Sequence, residues 1–320
     1  MRDLETSLDL RDAIELAHAV VQSIADERNT RVLFLKGASL ASYGLREERM
    51  SVDVDVLVDP QSFDDIVTVL ERLGWHMRRE SFVEKHGNAH SKAFVHPSWP
   101  CDIDVHFRFP GFLADSQVVF DELWRRRCVA TYAHRPCQIP DRAGSILILA
   151  LHCLRGDAHQ QRHAYELRQL TSIELSAAER ADLVEVARST GSIATLTPVL
   201  AALGIEALAS EGELSSSDYK EWMELTAAGG RGPYFWVYAL RHAQWRSRPQ
   251  ILWRGFWPTR ADMLIDPTVP DKATSVLAAR MRRLRAGLIE LPSALRAMGA
   301  HPLVRPLSTT RRQAQTRSRR

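Results

Sequence analysis

The chain has 320 residues, room for one large domain or two ordinary ones, and its 45% hydrophobic and 25% charged residues suit a globular protein with a sizeable core. The formal net charge of +3 is outweighed by five arginines within the last ten residues (Arg311, Arg312, Arg317, Arg319, Arg320), so the rest is slightly acidic and is no basic nucleic-acid platform. Four cysteines without C-x-x-C or zinc-like spacing, an acidic start unlike a signal peptide, and a longest apolar run (146–151) far below the roughly 18 residues of a membrane span predict a soluble cytoplasmic protein with no membrane partner.

Along the chain, residues 9–28 place Leu10, Ala13, Ile14, Ala17, Val20, Val21 and Ile24 at helical spacing, which predicts an amphipathic helix. RVLFLKG (31–37) reads as a buried strand closed by a glycine turn, with a brief helix over 38–43. SVDVDVLVDP (51–60) alternates as a strand does, sending Val52, Val54 and Val56 to the core, and Pro60 stops it. Residues 61–74 form a second amphipathic helix ending at Gly74.

Strand signals follow in WHMRRESFVEK (75–85), AHSKAFVHP (89–97) and CDIDVHFRF (101–109), the last two joined by a Pro-containing turn as an antiparallel pair. In CDIDVHFRF, Cys101, Ile103, Val105, Phe107 and Phe109 make a core face, while Asp102, Asp104, His106 and Arg108 share the polar one. From Asp141 helical patterns take over. The predicted organisation is an α/β (α+β) unit with a small mixed sheet over 1–140, a helical acceptor-side unit over 141–300, and a basic, disordered tail over 301–320. A Trp- and Arg-rich stretch over 234–258 reads as helix packing with arginine stems laid on aromatic surface.

Asp53 and Asp55 carry the chemistry most plainly. Two residues apart on a strand, their carboxylates project from one face and repel unless a cation sits between them. Hard oxygen ligands suit magnesium or manganese. Just upstream, Lys36 and Gly37 place a cation and a backbone free to approach closely beside any phosphate; Arg49 is a further candidate for the triphosphate, or for an ion pair with Glu47, Glu48 or Asp53. A third carboxylate, Asp104, comes from a later strand, as a two-metal site requires.

Gly37, an apolar-flanked D-x-D and a strand-borne aspartate resemble the DNA polymerase beta-like nucleotidyltransferase superfamily. LFLKGASLASYG, RMSVDVDVLV and IDVHFR are similar, more narrowly, to a bacterial group of poorly characterised nucleotidyltransferases, and the likeness spans most of residues 1–260. The resemblance implies transfer of a nucleoside monophosphate from a nucleoside triphosphate such as ATP to an acceptor, with release of pyrophosphate. It implies two Mg2+ (or Mn2+) ions held by Asp53, Asp55 and Asp104, with Asp104 also helping to deprotonate the acceptor. Lys36 and Gly37 would hold the triphosphate, with Ser39 and Arg49 as further nucleotide contacts; this chain reads Gly37-Ala38-Ser39 where the superfamily has Gly-Ser or Gly-Gly.

His106 beside Asp104, and His152 early in the helical half, are candidate support or acceptor contacts. In that half the group often carries an acid, where this chain reads ELRQLTSIE (166–174). His159 and His163, one helical turn apart, have zinc-pair spacing without the accompanying glutamate motif. The acceptor stays open among small molecules, peptides and macromolecules, nucleic acid included. Two other readings remain: a glycosyltransferase using D-x-D to hold Mn2+ and a nucleotide-sugar, and a non-catalytic interaction protein of antitoxin type on the same fold.

Overall fold

The computed structural model describes residues 8–79, 82, 90–155, 161–228, 232–264 and 272–299. His159, the tail 301–320 and most of the second half of WHMRRESFVEK lie outside the described residues.

The first half alternates as expected: helix α1 (Leu10–Arg28), strand β1 (Val32–Phe34), helix α2 (Ala38–Ser42), strand β2 (Asp53–Val58), helix α3 (Phe63–Arg72), then β3 (His76–Met77), β4 (Ser91–Val95) and β5 (Asp102–His106). Asp9 caps α1 by accepting the Arg11 N–H at 2.8 Å, and Gly74 follows α3 with φ +90, the conformation that ends a helix most cheaply. The sheet runs β1-β2-β5-β4-β3 and is mixed: β2 and β5 are parallel, and the other pairs are antiparallel, including the expected β4–β5 pair. The fold is therefore α/β (α+β), as the residues predict.

Three details differ from expectation. Val52 precedes β2 and is exposed, because the strand begins only at Asp53; Val54 and Val56 do enter the core. Of the strand predicted over 75–85, the described residues form His76–Met77 at the sheet edge. Helix α4 (Ser116–Arg125) and the hairpin of β6 (Cys128–Tyr132) and β7 (Arg135–Ile139) occupy a region that carries no clear period.

Each sheet face has its own apolar cluster. Val54, Val56, Val58, Ile103 and Val105 pack with Ala17 and Val21 of α1 and Ile66 and Leu70 of α3. On the opposite face Leu33, Leu35 and Leu57 join the helices that follow Pro140. These are α5 (Arg142–Arg155), α6 (Gln161–Thr171), α7 (Ala177–Ser189) and α8 (Ile193–Ala202). Ten of the fourteen residues of α5 are buried, so this helix is apolar nearly all round and forms the seam between sheet and helices. Beyond lie α9 (Glu211–Ser215), α10 (Ser217–Ala228), α11 (Gly232–His242), α12 (Arg248–Phe256), α13 (Arg260–Met263) and α14 (Ala273–Gly299).

Candidate active site

The parallel register of β2 and β5 sets the site. Asp53 stands opposite Asp102, and Asp55 opposite Asp104, so four carboxylates arise on two adjacent strands. Their fates differ. Asp102 is ion-paired to Arg78, and Asp53 accepts the Ser51 hydroxyl at 2.8 Å. Asp55 and Asp104 converge instead on His106: its Nε2 lies 3.0 Å from Asp55 Oδ1 and 3.3 Å from Asp104 Oδ2. One ligand atom from each of Asp55, Asp104 and His106 lies within 4.8 Å of the other two. Asp53 does not belong to that group.

Lys36 completes the cluster, its Nζ donating to Asp55 Oδ1 at 2.9 Å. It gets there because β1 ends at Phe34 and the chain turns through Gly37 at φ +82, ψ −145, a conformation L side chains rarely adopt. Arg46 donates to the Gly37 carbonyl at 3.0 Å and fixes the turn from the far side. Ser39 is buried and its hydroxyl donates back to the Lys36 carbonyl at 3.1 Å, so it braces the turn from within.

Burial alone would raise the Asp55 pKa, but the Lys36 charge and the His106 hydrogen bond outweigh it and hold the carboxyl well below its usual range. Asp104 shows the same contest, burial against the His106 hydrogen bond, and is also held low. Burial works against the His106 imidazolium, yet the hydrogen bonds it donates to the Asp104 and Asp55 carboxylates prevail and raise its pKa. All three shifts favour the charged form of the group concerned.

Two atoms in it are left over. Asp104 Oδ1 and His106 Nδ1 are buried and make no hydrogen bond among the described residues. An orphaned carboxylate oxygen beside a second anionic carboxylate is a donor set that fits a hard divalent cation.

Helices α5 and α6 close over this face. Arg155 ends α5 and reaches His90 Nε2 at 2.7 Å, while the His90 ring sits 5.8 Å from that of His106. His152 packs edge-on against His163 at 5.1 Å, and burial pushes its pKa down to about 2, with Lys36 and Arg155 acting in the same direction. His152 is therefore a neutral imidazole inside the helical layer. Arg49 leaves the carboxylates for Glu166 of α6, at 3.2 Å, and Arg46 approaches the same carboxylate at 3.8 Å. Glu166 is buried, and Cys153 donates to its Oε2 at 3.5 Å. The sequence reading did not single out Glu166; the available signal was its place at the head of ELRQLTSIE, where the resembling group carries an acid.

A cavity of about 270 Å3 opens beside Arg155 and His90, walled by Arg108, Glu221, Tyr234 and Tyr238. It lies between the end of β5 and helices α10 and α11.

The mixed sheet thus sets paired aspartates on neighbouring strands next to a lysine–glycine turn, as the resemblance to nucleotidyltransferases implies. The model of the family described as "Uncharacterised nucleotidyltransferase" matches residues 16–204, more than half of the chain and every residue of the carboxylate cluster, and the chain belongs to that family. No curated protein matches it. Among solved structures, the lincosamide antibiotic adenylyltransferase LnuA, bound to lincomycin, is 14% identical with a TM-score of 0.32, over 50% of this chain and 96% of that one. The antibiotic-resistance factor ANT(2'')-Ia is 16% identical with a TM-score of 0.37, over 57% and 94%. An antigenic nucleotidyltransferase-like protein from Paracoccidioides brasiliensis is 11% identical with a TM-score of 0.35, over 61% and 95%.

Proposed function

We propose that the protein is a metal-dependent nucleotidyltransferase that moves a nucleoside monophosphate from a nucleoside triphosphate to an acceptor. The observation that carries this reading is the register pairing of Asp55 with Asp104, bridged by His106 and flanked by Lys36. Family membership supports the same chemistry.

In this reading Asp55 and Asp104 are the principal ligands of Mg2+ or Mn2+, and Asp53, next along the same strand, is the third carboxylate. Bound there, divalent ions neutralise the charge that develops on the transferred phosphoryl group and on the departing pyrophosphate. His106 keeps the two carboxylates close despite their repulsion. Lys36 presents its ammonium beside them, where it meets the polyphosphate, and the Gly37 turn lets the backbone approach. Because Asp104 is held at low pKa, it suits ion binding and polarisation of the acceptor hydroxyl better than storage of a proton. Glu166 positions Arg49 and Arg46 at the margin of the turn.

The division of labour follows the chain. Residues 1–140 carry the nucleotide side, and helices from 141 to 300 carry the acceptor side. The cavity beside Arg155 and His90 is the place for the acceptor, since its wall residue His90 sits 5.8 Å, ring to ring, from His106 of the cluster and its other walls are able to stack and to hydrogen-bond.

Incubation with triphosphates labelled at the α-phosphate, Mg2+ and a cell extract tests the reading. Label is expected in one acceptor species, and is expected to vanish with Asp55→Asn or Asp104→Asn. Binding of nucleotide-sugars in place of nucleoside triphosphates would favour the glycosyltransferase reading instead.

A further inference from the structure

The carboxylate site leaves the Trp- and Arg-rich stretch without a role. It forms α11 and α12, which pack with α14 around an open groove of about 520 Å3. The walls are almost wholly aliphatic and aromatic, with Leu240, Ile251, Leu252, Leu284 and Leu291 among them. Several side chains that line it also face solvent: Phe235 is 37% exposed, Leu252 48%, Phe256 58% and Leu288 63%. Such a concentration of exposed apolar surface marks an interaction site rather than an ordinary monomer face.

Its charge is as distinctive. Residues 232–299 hold ten arginines and Lys272 against Asp262, Asp266, Asp271 and Glu290. Several guanidiniums lie over rings: Arg280 over Trp257 at 4.8 Å, Arg283 over Trp236 at 5.4 Å and Arg246 over Trp245 at 5.4 Å. In that arrangement the stems cover apolar surface while the charged heads reach its edge.

We propose that this face of α11, α12 and α14 is a docking surface for an anionic lipid bilayer, with acyl chain received in the groove and arginines meeting the headgroups. Charge decides against a second copy of the chain, because a two-fold contact would set arginine against arginine. The aliphatic groove decides against nucleic acid, which calls for a polar, backbone-tracking channel. The expectation of no membrane partner rested on span length; no helix among the described residues is long and apolar enough to cross, and an interfacial surface needs none. The proposal stands apart from nucleotidyl transfer.

Flotation of the full chain with vesicles tests it. Phosphatidylglycerol mixed into phosphatidylcholine should bind the protein at least about tenfold better than phosphatidylcholine alone, with binding weakened by salt and tryptophan emission shifted to the blue. The Phe256→Ala/Leu288→Gln double variant changes exposed side chains of the groove only; at an unchanged Tm it should bind roughly fivefold more weakly or worse. Asp104→Asn should bind as the parent does, which separates this proposal from the catalytic one. The proposal is overturned by no flotation, by equal flotation with both vesicle types, or by an unaffected double variant. Displacement from vesicles by a single-stranded oligonucleotide, or a dimer that the double variant dissolves, overturns it as well.

Discussion

Asp55 sits in the protein against Lys36 and His106 with almost no solvent, and this explains both its lowered pKa and its vulnerability. Lys36→Met removes one partner and leaves a buried carboxylate leaning on His106 alone; a loss of about 1–3 kcal/mol is expected in urea unfolding. The same variant should weaken triphosphate binding, read by fluorescence titration. A different residue governs acid sensitivity. His18 is buried against Tyr132, ring centroids 4.0 Å apart, and burial pushes its pKa down to about 4. Its folded pKa is depressed, so the unfolded chain binds the proton more readily. Its contribution is complete above the unfolded value of 6.5 and is lost as pH falls towards 4, by roughly 3 kcal/mol. His18→Phe, which keeps the ring without the titration, should flatten the stability profile over that window. His152 acts in the same direction, so some slope should remain. The aspartates were legible because i, i+2 spacing on a strand is unambiguous. The partner choice of Asp53 and the Arg49–Glu166 pair were not, since both depend on which segments meet in three dimensions.

At the scale of elements, the strands carrying Asp55 and Asp104 could be read from alternation, and the β4–β5 pair from its turn residues. The β6–β7 hairpin escaped because little of it is buried and its turn lacks the usual marker. Val129 is exposed, and the two-residue turn is Ala133-His134 at φ 45 and 63 in place of Asn-Gly. That backbone is strained for both residues. The Ala133→Asn/His134→Gly pair should therefore raise stability by about 1 kcal/mol, visible as a higher Tm, while keeping the Ala133 N–H bond to Glu15. A loss of stability would mean that the side chains, and not the backbone, hold the turn.

Over the whole molecule, the sequence shows where strands give way to helices but not that both share a core. Leu33, Leu35 and Leu57 from the sheet join Leu147, Leu151, Leu183 and Leu196 from the helices in one cluster. That contact holds α5, and with it Arg155, over the carboxylates. Leu151→Ala should cost about 2–5 kcal/mol and lower transfer as well, because the seam that aligns the two halves loosens. Parallel denaturation and activity curves check that pairing. The most direct test of the central claim is transfer of α-labelled nucleotide in Mg2+ by the parent protein and by Asp55→Asn and Asp104→Asn, each confirmed folded by circular dichroism. The account predicts Mg2+-dependent labelling that falls at least about a hundredfold in both variants. Labelling that persists in both, or that proceeds unchanged in chelator, would contradict it.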